Sequence, residues 1–172
     1  NSLQGRFQLD YNSLSSFINA PESGTIALNF PTFQLDAKEI FQFQPSLKEN
    51  EYLVAVSEKL ISGSLKAQGV LSSIQISNAD IQWGASTEIV MSNGVVKNAT
   101  DPDNLQFDFP TVQASTTRTD LINFVKEEDL SIRLPEKIQL KGRLEGTVDA
   151  ISTDIKVTTS QGIASVKGMF EN

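Results

Sequence analysis

Carboxylates are the side chains best suited to chemistry in this chain, because its 172 residues include no histidine and no cysteine. Without those residues the chain cannot form a Ser-His-Asp or Cys-His nucleophilic site, and it lacks the most common transition-metal ligand. Asp80, Glu145, Asp149 and Asp154 remain as candidates for a carboxylate pair of the kind that hydrolyses glycosides. Glu145 and Asp149 fall on the polar side of an alternating pattern, which favours solvated charges over catalysis. We therefore expect that the protein is not an enzyme.

Two other groups of residues could bind a ligand. The acidic turn Asp101–Asn104 offers clustered oxygens of the kind that Ca²⁺ prefers, although the proline within it also explains a plain turn. Trp83, Tyr11 and Tyr52 could stack on sugar rings, although ordinary core or edge packing is the preferred explanation for them. No further ligand spacing supports either group, so we predict no cofactor.

The charge balance excludes several partners. The net charge is −7 and the isoelectric point is about 4.6, which argues against binding nucleic acid or docking by charge on an anionic membrane. No apolar run approaches the roughly 20 residues that span a bilayer. The chain begins with Asn1 instead of Met. We therefore expect it to be one segment of a longer protein, with any targeting signal or membrane anchor outside it.

Hydrophobic residues alternate with polar ones along most of the chain, which predicts a mainly β protein. The pattern is clearest in residues 138–172, which indicate three consecutive strands joined as an antiparallel meander, each with one apolar and one polar face. The apolar run Tyr52–Val56 predicts another strand. Pro31 predicts a β-bulge or a strand edge, and the break in alternation at Asn78–Ala79 predicts a bulge or a turn.

Two short segments have helical spacing instead. In residues 12–20 the apolar positions fall at i, i+3 and i+4, Asn12 or Ser13 can cap the N-terminus, and Pro21 ends the helix. Residues 120–126 carry a second apolar stripe and can begin at a capping threonine or aspartate. The sequence thus predicts two short amphipathic helices beside the strands.

A weak internal repeat relates residues 57–98 to residues 131–172 at a displacement of 74 positions, with eight identities and no gaps. Asn93 and Gly94 resemble a tight hairpin turn, but the repeat aligns Gly94 with Gly168, which lies inside a strand pattern. The repeat therefore predicts an in-strand glycine at position 94. No linker divides the chain, so we interpret residues 1–172 as a single domain.

The C-terminal stretch also resembles a known family. Residues 134–172 are similar to the repeats of AsmA-like and TamB-type bacterial envelope proteins, and the stretch from Gly63 to Asn98 resembles the middle of such a protein. The positions that match the repeat pattern are Leu134, Pro135, Ile138, Leu140, Gly142, Gly146, Asp154, Ser160, Gly162, Ala164, Val166 and Gly168.

The resemblance implies a curled antiparallel β-sheet that forms an open, taco-like groove with an apolar concave face. It implies a non-catalytic segment of a protein that is anchored in the inner membrane and spans the periplasm of a diderm bacterium. The implied partners are phospholipid or other acyl-chain lipids, which the groove binds or conducts in outer-membrane biogenesis, and outer-membrane assembly proteins.

The expected lining of the groove is uncharged throughout. It consists of Phe7, Leu9, Ile26, Leu28, Phe30, Leu65, Ile74, Ile76, Leu105, Phe107, Phe109, Ile138, Leu140, Leu144, Val148, Ile155, Val157, Val166 and Phe170. The same apolar stripes would also suit the closed core of a structural or adhesive β-sandwich that binds a protein or glycan. Periodicity does not distinguish the two readings.

Overall fold

A computed structural model describes residues 2–84, 86–125, 133–147 and 149–171. Its main element is one sheet of nine strands, in which each strand pairs antiparallel with the next along the chain. The strands are β1 Ser2–Asp10, β2 Thr25–Leu35, β3 Ile61–Val70, β4 Ser73–Trp83, β5 Thr87–Lys97, β6 Gln106–Thr117, β7 Lys137–Thr147, β8 Ala150–Thr159 and β9 Gly162–Glu171. The prediction of a mainly β, antiparallel fold is confirmed.

The sheet is open, with β1 and β9 as its two edges, and it is uncurled. The openness agrees with the sequence prediction, whereas the expected taco-like curl is not present. Among the described residues no second sheet packs on either face, so no layer draws the two edge strands toward each other. For the same reason, these strands do not form the closed sandwich of the alternative interpretation.

The structure has a bulge at both positions where the alternation breaks, and neither the strand edge nor the turn that the sequence left open. The pairing of β2 with β3 shifts register between Phe30 and Phe33, at the position of Pro31. The pairing of β3 with β4 shifts where Ala67 pairs with Ile76 and Lys66 pairs with Asn78, which leaves Ser77 as the extra residue. A bulge lets the apolar residues on either side of the extra position stay on one face.

The first predicted helix is confirmed as α1, Leu14–Asn19, and the Oγ of Ser13 accepts a hydrogen bond from the backbone N–H of Ser16 at 3.0 Å. Its apolar side chains remain largely in solvent, with Leu14 74% exposed and Ile18 65% exposed. Phe17 makes an edge-to-face contact with Tyr11, with ring centroids 5.1 Å apart.

The remaining helices lie in the two connections at the opposite end of the sheet. They are α2 Ile40–Phe43, α3 Glu51–Ser57 and α4 Arg118–Leu121. Short 3₁₀ turns also occur at Pro21–Ser23, Ala37–Glu39, Pro45–Glu49 and Pro102–Asn104. The second predicted helix corresponds to α4, which begins two residues earlier and ends sooner than expected, and Lys126 lies outside the described residues.

The strand predicted at Tyr52–Val56 is wrong, because these residues form α3. Asn50 provides the physical reason, since its side-chain oxygen accepts hydrogen bonds from the N–H groups of Tyr52 and Leu53 at 3.0 and 3.1 Å. This N-cap supports a helix, whereas a short apolar run by itself suits either element.

The in-strand position of Gly94 is confirmed, because β5 continues through it, with Gly94 opposite Ile76. The preceding residue, Asn93, has a φ of 55°, the left-handed conformation that asparagine tolerates better than most residues. When 74 is added to their residue numbers, β3, β4 and β5 cover nearly the same residues as β7, β8 and β9. The proposed repeat unit therefore corresponds to three strands.

Candidate functional site

Strand register collects the predicted groove residues on one side of the sheet. Residues that are directly opposite on antiparallel neighbours project to the same face. A continuous series of partners runs Leu9, Ile26, Gly69, Ile74, Val96, Phe107, Gly146, Ile151 and Phe170 across all nine strands. We call the side defined by these residues and their i±2 neighbours the uncharged face. Every paired position described on it is apolar, glycine or threonine.

The structure places seventeen of the predicted lining residues on this face. They are Phe7, Leu9, Ile26, Leu28, Phe30, Leu65, Ile74, Ile76, Phe107, Phe109, Ile138, Leu140, Leu144, Ile155, Val157, Val166 and Phe170. Leu105 precedes β6 and is half-buried. Val148 lies outside the described residues.

Several residues of the uncharged face were not in the predicted set. They include Leu3, Phe33, Ile61, Ile81, Trp83, Ile89, Met91, Val96, Val112 and Ile151. Some of them follow a bulge, where simple alternation counted from the start of the strand assigns the wrong side. Counting again from each bulge identifies Phe33, Ile81 and Val112. Ile61 and Ile151 follow the plain alternation of their strands and could have been included from it.

One end of the uncharged face is covered. Trp83, Thr87 and Thr116 lie on this face where β4, β5 and β6 approach the helical connections. The indole nitrogen of Trp83 donates a 2.6 Å hydrogen bond to the backbone oxygen of Val56, and its ring lies 5.2 Å from the ring of Phe124. We call the covering residues 37–60 and 118–125 the helical cap.

A partly buried ion pair joins the two parts of the helical cap. The Nζ of Lys59 contacts the carboxylate of Asp120 and also lies 4.4 Å from the centroid of the Trp83 ring. Thr87 donates a 2.7 Å hydrogen bond to the second oxygen of Asp120. Burial alone would raise the pKa of Asp120, but the hydrogen bonds from Lys59 and Thr87 and the lysine charge outweigh it, so this pKa is lowered.

Away from the cap the face has no comparable cover. Among the described residues no large side chain is fully buried, and on the edge strands Phe7 is 60% exposed and Phe170 is 58% exposed. Outside the capped end, the most buried aromatic ring among the described residues is Phe109, which lies over Gly94. An apolar surface left this open is costly in water and is characteristic of binding surfaces.

The four candidate catalytic carboxylates do not converge in a cleft. Asp80, Glu145 and Asp154 lie on the opposite, polar face, on three different strands, and Asp149 is exposed in the turn between β7 and β8. The Arg143 guanidinium lies 2.6 Å from the carboxylate of Glu145, and the Lys167 amine lies 3.2 Å from that of Asp154. These contacts agree with the interpretation of solvated surface charges.

The polar face nevertheless has shallow depressions. One of about 370 Å³ is lined by residues that include Glu88, Lys141 and Lys156, and one of about 330 Å³ by residues that include Lys97, Asp108 and Glu145. One carboxylate oxygen of Asp108 has no hydrogen-bond partner among the described residues. These depressions could accept a polar ligand.

The aromatic and acidic candidates have other roles in the fold. Trp83 is buried beneath the helical cap, and Tyr11 packs on Phe17 and Gly24, so neither ring is free to stack on a sugar. Tyr52 is exposed on α3. In the acidic turn Asp101–Asn104, the amide of Asn104 donates to the Asp101 carboxylate at 2.8 Å.

The described part of the chain contains no group of three or more acidic, histidine or cysteine side chains arranged to hold a metal ion. None of its helices has the length and apolar character needed to cross a membrane. Comparison with known proteins adds no relative, since no family model, no curated protein and no solved structure matches this chain.

Proposed function

We propose that this chain binds acyl chains of phospholipids or related lipids on the uncharged face of its sheet. The observation that carries the proposal is the continuity of this face, since the described strand pairs from β1 to β9 place no charged side chain on it. A charge buried against an acyl chain would be strongly unfavourable, whereas each methylene removed from water contributes about 0.8 kcal/mol.

The shape of the site supports the same role. Nine strands at a spacing of about 4.8 Å make the face about 38 Å wide, and helices cover only one end of it. A lipid chain can therefore take the place that a second sheet would occupy in a sandwich. The proposed role requires no catalytic group, so it is a binding role and not an enzymatic one.

The resemblance of residues 134–172 to AsmA-like and TamB-type repeats leads to a wider proposal. In it the chain is one segment of a protein anchored in the inner membrane that conducts phospholipid across the periplasm during outer-membrane biogenesis. The matching glycine and alternation pattern supports this proposal, and so does the succession of antiparallel strands.

A photo-crosslinking experiment tests lipid binding with matched positions on adjacent residues. A photoreactive amino acid is placed at Leu140 on the uncharged face or at Lys141 on the polar face, and each variant is irradiated with phosphatidylcholine vesicles. Mass spectrometry should find covalently attached phospholipid at position 140 and little at position 141. Equal capture at both positions, or capture at neither, would contradict the proposal.

A charge substitution provides a second test on the same strand. Leu140→Glu should reduce lipid capture at a reporter position such as Ile155, because the carboxylate would have to be desolvated against an acyl chain. Gln139→Glu adds the same charge on the polar face and should leave capture unchanged. Circular dichroism of both variants shows whether the sheet is retained.

Binding of a glycan or protein is the second candidate function, and the depressions on the polar face favour it. In that case Lys141 and Lys156 would contact the partner, and the uncharged face would carry no ligand. Loss of glycan-array or protein binding in a Lys141→Gln variant, together with no lipid capture at position 140, would favour this second function.

A further inference from the structure

Two of the described strand pairs place like charges directly opposite each other on the polar face of the sheet. Asp108 of β6 is opposite Glu145 of β7, and Lys141 of β7 is opposite Lys156 of β8. Directly opposite residues are the closest neighbours across two strands, so like charges at such positions are destabilising. A counter-charge that contacts both side chains removes this cost.

The acidic pair has its counter-charge within the chain. The guanidinium of Arg143 lies 3.0 Å from the carboxylate of Asp108 and 2.6 Å from that of Glu145, so one cation bridges both acids. On the next strand pair, the amine of Lys167 lies 3.2 Å from the carboxylate of Asp154. The charges around the two lysines are thus matched by partners from the sheet itself.

The basic pair has no such partner in the described part of the chain. Neither Lys141 nor Lys156 forms an ion pair there, although the whole chain has 21 acidic and only 14 basic residues. Glu88 lines the same depression, but it comes from β5, two strands away from Lys141. Two opposed amines left unpaired in an acidic chain indicate that a ligand supplies their counter-charge.

The two lysines share their depression with neutral hydrogen-bonding groups. Its volume of about 370 Å³ falls within the range of about 300–1,000 Å³ that small-molecule sites occupy. Its lining includes the amides of Gln113 and Gln139 and the hydroxyls of Ser115 and Thr158. Amides and hydroxyls both donate and accept hydrogen bonds, as the hydroxyl groups of a sugar do. A free inorganic anion would leave most of these groups without a contact.

We propose that this depression binds a phosphorylated saccharide, with the phosphate between the amines of Lys141 and Lys156. A phosphate monoester carries a charge of about −1.5 to −2 at pH 7, which matches two amines better than the single charge of a carboxylate does. The sugar hydroxyls contact the amides and hydroxyls of the same depression. The inference rests on the second candidate function, glycan binding, and gives it a ligand class. Lipid capture at position 140, on the opposite face, is a separate outcome.

Isothermal titration calorimetry tests the ligand class with glucose 1-phosphate and glucose 6-phosphate. The native chain should bind at least one of them about tenfold more tightly than glucose, glucuronate or inorganic phosphate. Equal affinity for glucose would keep a glycan site but overturn the role of the lysines. Equal affinity for inorganic phosphate would overturn the role of the sugar, and no binding of either sugar phosphate would contradict the whole proposal.

Charge substitutions locate the site. Lys141→Gln and Lys156→Gln should each weaken sugar-phosphate binding about tenfold. Lys66→Gln makes the same change in net charge on the polar face of β3, far from the depression, and should leave binding unchanged. Glu88→Gln should tighten binding roughly twofold, because it removes a negative charge beside the ligand. Equal weakening by Lys66→Gln would show a general charge effect and overturn the site.

Thermal unfolding of the ligand-free chain separates a binding role from a structural one. Because the opposed lysines repel each other, Lys141→Gln should raise the Tm by about 1–2 °C. Lys66→Gln, whose side chain is opposite asparagines on both neighbouring strands, should leave the Tm unchanged. A lower Tm for Lys141→Gln would show that this lysine stabilises the fold, and would overturn the proposal that it is kept for a ligand.

Discussion

At one end of the uncharged face Trp83 is buried beneath the helical cap, whose own Asp120 is also buried, whereas at the other end Leu9 and Phe170 remain in solvent. Both ends are built from the same nine strands and the same alternation. Specific hydrogen bonds, a cation–π contact and an ion pair hold the capped end, while the open end offers apolar surface with few directional contacts. This difference indicates that stability is concentrated at the capped end, and that the open end is available for a ligand.

The largest expected effect is at the ion pair of the cap. Asp120→Ala leaves the Lys59 amine partly buried without its carboxylate, so the free energy of unfolding should fall by about 3 kcal/mol. Urea denaturation followed by circular dichroism measures the change. Asp154→Ala, which breaks an exposed pair with Lys167 on the polar face, should cost about 0.5 kcal/mol. Similar losses in both variants would show that the capped end is not a centre of stability.

A smaller effect is expected for aromatic residues compared between the two ends. Trp83→Leu removes the hydrogen bond to Val56, the cation–π contact and the ring contact with Phe124, and should cost about 2 kcal/mol. Phe107→Leu toward the open end loses a ring contact with Phe109 at 6.1 Å and should cost about 1 kcal/mol. The same denaturation assay should rank the two variants in this order. A reversed order would break the contrast between the ends.

The smallest expected effect is a dependence on pH. Because the pKa of Asp120 is lowered in the folded chain, its contribution to stability is present above its usual value of 3.8 and is lost as the pH falls through the lower, folded value. The stability difference between the native chain and Asp120→Asn should therefore be constant near neutral pH and shrink below about 3.8. A difference that persists unchanged at pH 2 would contradict the role of the ionised carboxylate.

Much of the sheet could be predicted from the sequence. The alternation around Leu140 and Ile155, the bulge at Pro31 and the in-strand Gly94 all depend on residues close in sequence, and each is found in the structure. The segment at Tyr52 was misassigned because a short apolar run has no decisive period. There the side-chain cap provided by Asn50 favours the helix.

The candidate site, like the sheet, could be predicted from the sequence only where it depends on residues close in sequence. Period-two spacing selects which side chains share a face, so seventeen of the nineteen predicted lining residues lie together. The bulges explain part of what was missed, since an extra residue reverses the assignment of every position after it. Sequence spacing contained no signal for the cover over Trp83, which comes from connections far away in the chain.

The sequence by itself determined that one side of every strand would be free of charge, because side-chain direction in a strand follows from local backbone geometry. Only the tertiary structure decided that the sheet stays open and uncurled, and that one end of the uncharged face is closed. The contact between Lys59 and Asp120 spans 61 residues, and its position depends on how two separate connections pack over the same strands. Such a contact has no local pattern from which it can be predicted.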